Sequence, residues 1–260
     1  MKVKSNDLCE TYLNSEDIRT GFINLPSGPR EVKYSVVDGL AIFEGDIVLG
    51  TSAEMETQFK NKGVGITGDQ FRWPNGIIPF NIDQSLPNQQ RVTDAIAHWE
   101  NRTFIRFVPR TNPTQQPNFV HFRSSSACRS WVGMQGGQQD IELANGCSTG
   151  SVIHEIGHAV GLWHEQSRED RNNFVRINWN NITPGEEHNF DQHITDADDY
   201  GPYDYNSIMH YGQFAFSKNG QATIDPIQSG VTIGQRNGLS DGDVATVYAL
   251  YNIRRLGGVT

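Results

Sequence analysis

The sequence predicts an α+β fold. Short runs with strand character are concentrated early in the chain, helical patterns dominate later, and the two do not alternate as βαβ units would. Trp73-Pro74-Asn75-Gly76 is a turn signal leading into a strand over residues 77–82. Pro79 cannot donate to a ladder, so that strand is expected at a sheet edge. Residues 88–101 carry Val92, Ile96 and Trp99 at helical spacing. Strands follow over 106–108 and 119–122. Residues 151–162 place Val152, Ile153, Ile156 and Val160 on one broad apolar face and end near Gly161, as a buried helix does. Thr183-Pro184-Gly185-Glu186 fits a capping box with proline at the first helical position. A last helix is expected from Ser240, with Val244, Val247, Tyr248 and Tyr251 facing inward.

Composition narrows the function. The chain has 260 residues, 36% of them hydrophobic and 10% aromatic, enough for a packed core. A formal net charge of −9 argues against a nucleic-acid partner. No apolar run is long enough to span a membrane. The polar start Met1-Lys2-Val3-Lys4 has no signal-peptide core, so either the chain works in the cytosol or a leader has been removed. The cysteines Cys9, Cys128 and Cys147 favour the second reading. Cys128 and Cys147 bracket a glycine-rich stretch and could close a short disulfide loop, which leaves Cys9 over.

The chemistry is concentrated in His154-Glu155-Ile156-Gly157-His158-Ala159-Val160-Gly161-Leu162-Trp163-His164. On a helix, His154 and His158 project from one face and can bind a single Zn²⁺. Glu155 can reach a metal-bound water without occupying the metal. Gly161 can turn the chain sharply and bring His164 round as a third ligand. Three protein ligands leave a fourth position open, as in catalytic rather than structural zinc sites.

This extended motif resembles that of the metzincin zinc endopeptidases, which also carry a methionine turn downstream. Here Ser207-Ile208-Met209-His210-Tyr211 supplies one. Glu165 directly after the third histidine, Tyr211 after Met-His, and the stretches 73–80, 164–168, 204–211 and 234–240 resemble the astacin family over roughly residues 63–251. The resemblance implies a metzincin-type catalytic domain of an N-terminal, mainly β subdomain with the active-site helix (about 63–164) and an irregular C-terminal subdomain (about 165–260), with the cleft between them. It implies His154, His158 and His164 as zinc ligands and Glu155 as the general base. Tyr211 becomes a swinging ligand that stabilises the oxyanion, and Met209 the floor beneath the metal. Glu165 is the partner of the mature N-terminus. Residues 132–143 occupy the place of the cleft-edge strand, where protein or peptide substrates would bind extended. The family commonly has two disulfides in this domain. Only Cys128 and Cys147 match, which leaves the anchorage of the C-terminal tail open.

Residues 1–62 precede this region, and Lys60-Asn61-Lys62-Gly63 suits proteolytic nicking. They are expected to form an inhibitory pro-segment of a secreted, monomeric enzyme. Phe43-Glu44-Gly45-Asp46-Ile47 resembles the motif through which astacin pro-segments offer an aspartate to zinc. Cys9 is the competing ligand. Pairing of Cys128 with Cys147 leaves Cys9 no other role, and a thiolate binds zinc more strongly than a carboxylate, so the sequence favours Cys9, with Asp46 as the alternative and otherwise a segment-positioning residue.

Overall fold

The larger sheet among the described residues has nine strands, and four of them precede the region of resemblance. The structure, a computed structural model, describes residues 15, 17–25, 28–57, 69–193 and 199–253. Cys9 and the 60–63 stretch lie outside them. Strands β1 (Ile18–Leu25), β2 (Gly28–Val37), β3 (Leu40–Phe43) and β4 (Ile47–Thr51) form an antiparallel meander, closed by the short helix α1 (Ser52–Thr57). The meander has its own core of Ile23, Val32, Tyr34, Phe43, Ile47, Leu49 and Met55, joined by Val132 from the rest of the chain.

The remaining strands are β5 (Ile77–Ile82), β6 (Arg106–Pro109), β7 (Phe119–Ser124), β8 (Arg129–Trp131) and β9 (Gln138–Leu143), and the sheet order is β1-β2-β3-β4-β8-β9-β7-β5-β6. The two halves join where β4 runs parallel to β8, Ile47 opposite Ser130 and Val48 opposite Trp131. Helices α2 (Gln90–Arg102) and α3 (Thr149–Val160) share the main core, in which Trp99, Val152, Ile156 and Val160 are fully buried. Indole Nε1 of Trp99 donates to Ile153 O at 3.0 Å and that of Trp73 to Ala159 O at 2.8 Å, so both tryptophans hold α3 by its backbone. Beyond α3 the chain is mostly irregular. It forms a two-stranded ribbon of β10 (Val175–Ile177) and β11 (Ile224–Pro226), a third core around Phe190, Tyr211 and Phe216, and the final helix α4 (Asp241–Leu250). The α+β architecture matches the sequence reading.

Several local expectations are corrected. Strand β5 is not at an edge: β6 flanks it along Ile77–Phe80 and β7 along Phe80–Ile82. Pro79 is accommodated because the second partner begins only at Phe80. Helix α3 starts at Thr149, since Ser148 and Ser151 cap each other reciprocally. Serine rather than glutamate at the third position hides that box from a sequence search. The Thr183 box does not form. Thr183 Oγ1 donates to Phe216 O at 2.9 Å, Gly185 has φ +94°, and only a 3₁₀ turn at Glu187–Phe190 follows. Strand β9, within the supposed cleft-edge stretch, is paired on both sides, by β7 and β8. The strand that borders the N-terminal meander is β8, which lies between β4 and β9.

Cys128 and Cys147 form a disulfide that ties the start of β8 to the loop before α3. The tail is anchored without a second one. Tyr251 accepts from Trp73 N and donates to Val160 O at 3.1 Å, Arg72 Nε donates to Leu250 O at 3.2 Å, and Phe104 packs on Tyr248 and Tyr251. Among the described residues no helix is long and apolar enough to cross a membrane.

Candidate active site

His154 and His158 lie one turn apart on α3, buried to 2% and 0% exposure. Helix α3 then ends at Gly161, whose φ of +119° is a left-handed cap that a side chain would strain. The turned chain delivers His164, 2% exposed, with its ring 5.3 Å from that of His154 and 4.8 Å from that of His158.

Hydrogen bonds set the tautomer of each ring. Nδ1 of His154 donates to Ile208 O at 2.8 Å, Nδ1 of His158 to Leu162 O at 2.9 Å, and Nδ1 of His164 to the Glu44 carboxylate at 2.8 Å. With the proton on Nδ1, each Nε2 keeps its lone pair, and that is the state in which imidazole binds a metal. The Nε2 atoms converge on Asp46, at the end of the β3–β4 turn. Its carboxylate lies 3.2 Å from His154 Nε2, 3.5 Å from His158 Nε2 and 3.3 Å from His164 Nε2.

These four side chains fit a divalent cation. One ligand atom from each lies within 4.8 Å of the others, and all four residues are buried. Among the described residues, Asp46 Oδ1, His158 Nε2 and His164 Nε2 have no hydrogen-bond partner. Buried polar atoms converging in this way form a set of donors suited to an ion. Three imidazoles and one carboxylate in tetrahedral reach suit zinc. Without metal, burial disfavours charge on His164 but the adjacent Asp46 and Glu44 carboxylates outweigh it and raise the imidazole to about 9. Burial lowers His154 to about 3. A bound divalent ion would take over the neutralising role of the His164 proton.

With this geometry the relatives fall into place. The family model for astacin, a peptidase family, matches residues 66–252. The chain belongs to the astacin family. It is 38% identical over 226 residues to zinc metalloproteinase nas-13 of Caenorhabditis elegans, covering 81% of this chain and 50% of the relative. It is 42% identical over 184 residues to high choriolytic enzyme 1 of Oryzias latipes, covering 68% of this chain and 67% of the relative. The solved structure of that enzyme, described as a hatching enzyme zinc-protease, aligns with a TM-score of 0.63 over 70% of this chain and 94% of the other. Myroilysin, at 24% identity and a TM-score of 0.53, shares the fold. The chain spans about half the length of nas-13 and of two further C. elegans zinc metalloproteinases, nas-15 and nas-14. The astacin domain is that of a zinc metalloendopeptidase, and zinc is its metal.

The other residues singled out from the astacin resemblance surround this centre. Glu155 follows His154 on α3 and is 2% exposed. Met209 is buried beneath α3, so close that a Cβ on Gly157 would meet its sulfur at 2.6 Å. Glycine at that helix position is therefore a packing requirement. The ring of Tyr211 lies 4.7 Å from that of His164, and its hydroxyl donates to Glu44 O at 2.5 Å. Glu165 borders a cavity of about 1000 Å³ together with Tyr203, Asp204, Ser240 and Asp243. It accepts from Asp204 N at 2.8 Å, and burial raises its carboxyl to about 8 against the pull of that bond and of Arg168. Cys9 lies outside the described residues, and the fourth position beside the histidines is taken by Asp46. Sequence reasoning gave Glu44 no role, although this carboxylate is fully buried against His164. The only signal was its place within the Phe43–Ile47 motif.

Proposed function

We propose that this chain is the latent precursor of a secreted, monomeric zinc endopeptidase, with residues 1–62 as a removable pro-segment and Asp46 as the group that blocks the metal. The carrying observation is the Asp46 carboxylate within 3.2–3.5 Å of three histidine Nε2 atoms. It favours Asp46 over Cys9 as the blocking ligand. The β4–β8 pairing supports the same reading, because the segment covers the strand edge that an extended peptide would use. The disulfide and the hatching-enzyme relative support export and protein substrates.

His154, His158 and His164 hold the zinc. Bound zinc supplies a Lewis acid that polarises the scissile carbonyl and brings the pKa of water toward ~7. Glu155 accepts the proton of the attacking water and returns it to the leaving amine. Removal of the segment exposes Arg129–Trp131 for main-chain pairing with the substrate and releases Tyr211 from Glu44, so that its phenol can stabilise the oxyanion. Met209 packs under the ligands. The new N-terminus enters the cavity beside Glu165, a buried acid raised to about 8 whose charge a second cation, besides Arg168 at 3.6 Å, would favour.

The test is latency on casein before cleavage. Asp46→Ala precursor is expected to digest casein, and Cys9→Ser precursor to stay latent. The reverse pattern returns the role to Cys9, and latency kept by both variants rules out direct metal blockade.

A further inference from the structure

Glu44 precedes Asp46 by two residues and differs from every other acidic group of the meander in having no exposure at all. Its φ of +47° lies in the left-handed region, where glycine or asparagine would sit more easily. A glutamate kept in that conformation points to a task for its side chain. The carboxylate gathers three donors: Oε2 accepts from His164 Nδ1 at 2.8 Å, and Oε1 accepts from Ser167 Oγ and His193 Nε2, each at 2.6 Å. His193 is itself held from the meander, where Arg30 contacts its Nδ1 at 3.2 Å and donates to Gln192 O at 3.0 Å. Phe43 packs edge-on against the His193 ring at 5.6 Å, and Trp163 lies against it at 4.8 Å.

The three imidazoles are thus oriented from different sources. His154 and His158 take their Nδ1 acceptors from Ile208 and Leu162, backbone carbonyls of the peptidase domain that remain after processing. His164 takes its acceptor from residue 44, which leaves with the segment. A carboxylate on the far nitrogen of a metal-bound histidine fixes the ring and makes it a stronger donor, and such partners typically change metal affinity ten- to a hundredfold.

Resting on the proposed reading of residues 1–62 and of the zinc site, we propose that Glu44 is a positioning residue for the metal. It strengthens His164 as a ligand, so the precursor holds zinc more tightly than the processed enzyme and is the form in which the metal is acquired. Asp46 and Glu44 divide the work: one blocks the open corner directly, the other acts through His164 from behind.

The experiment is equilibrium competition for Zn²⁺ against a chromophoric chelator, with no peptide hydrolysis measured. Four folded proteins are compared: wild-type precursor, Asp46→Ala precursor, Asp46→Ala/Glu44→Gln precursor and processed enzyme. Asp46→Ala precursor and processed enzyme present the same three histidines and differ in the whole segment, so the Glu44→Gln double variant isolates the carboxylate from the rest of it. The Asp46→Ala precursor is expected to bind zinc ten- to a hundredfold more tightly than the processed enzyme, and addition of Glu44→Gln to abolish that margin. Equal affinity of the Asp46→Ala precursor and the processed enzyme overturns the proposal, even if the double variant fails to fold. The visible spectrum of the Co²⁺-substituted precursor separates this failure from that of the underlying reading. Asp46→Ala must change the spectrum if Asp46 is a ligand, and His164→Ala must weaken metal binding if the histidines hold it.

Discussion

The phenol of Tyr211 donates to the backbone carbonyl of Glu44 at 2.5 Å, across a sequence separation of 167 residues. The bond joins the third core to the tip of the β3–β4 turn. If residues 1–62 are removed as proposed, the tyrosine loses this contact. On the proposed reading, the phenol assigned to the transition state is thus occupied before processing, alongside the Asp46 carboxylate on the histidines.

Tyr211→Phe is expected to lower turnover of the processed enzyme by roughly 10²–10³-fold with little change in the Michaelis constant, as for loss of one oxyanion donor. Steady-state kinetics on a peptide substrate check this. Weakened substrate binding at unchanged turnover would contradict the assignment. In the precursor the same change removes the bond to Glu44, and latency should persist because Asp46 remains on the histidines.

Glu155→Gln should leave zinc content at one per chain and remove peptidase activity by at least ~100-fold, because the ligands survive and the base does not. Metal analysis and circular dichroism in parallel separate loss of the base from loss of the site. Turnover above about a tenth of wild type would rule the role out.

The site was legible because its determinants are local. Two histidines four apart, a glycine where the helix must turn, and a third histidine three residues on encode the ligand cluster within eleven residues. Ser240 with Asp243 encodes the start of α4 in the same way, through a reciprocal cap. The pairing of Ile47 and Val48 with Ser130 and Trp131 has no such local signature, since parallel partners more than 80 residues apart leave no shared pattern. Cys9 was preferred to Asp46 as the cysteine left over from the disulfide and as the stronger ligand, grounds that carry no information on position; the fold presents Asp46 to the histidines from a three-residue turn. Glu44 was invisible for the same reason: its partners His164, Ser167 and His193 come from more than 100 residues away. Pro79 misled because a proline in a strand signals a missing donor, not which side of the sheet begins late.

Gly157→Ala is expected to destabilise the protein although alanine is the better helix former by ~1 kcal/mol. The new Cβ would stand 2.6 Å from Met209 Sδ, inside a buried contact with little room to relax. Overpacking of this kind costs about 1–3 kcal/mol. The net effect should appear as a lower Tm, and a second variant, Gly157→Ala/Met209→Ala, should relieve the clash while leaving a cavity. A single variant as stable as wild type would mean that the methionine floor is mobile.

His98 on α2 accepts from Leu239 N at 2.9 Å through Nε2, and so ties α2 to the residue before the cap of α4. That bond requires an unprotonated Nε2. Burial lowers the His98 pKa from its usual value near 6.5, and the neighbouring Arg102 charge lowers it further. A depressed folded-state pKa means that the unfolded chain takes up the proton first. The contribution of His98 is therefore fully present above about pH 6.5 and is lost as pH falls through the folded-state value. One such group adds a slope of at most ~1.4 kcal/mol per pH unit within that window. His98→Gln offers an acceptor that does not titrate, so its unfolding free energy should fall less steeply than wild type below pH 6.5, with the two curves parallel above pH 7.5. Urea titrations at half-unit pH steps measure both curves. Identical slopes below pH 6.5 would show that the proton taken up by His98 on unfolding carries no stability.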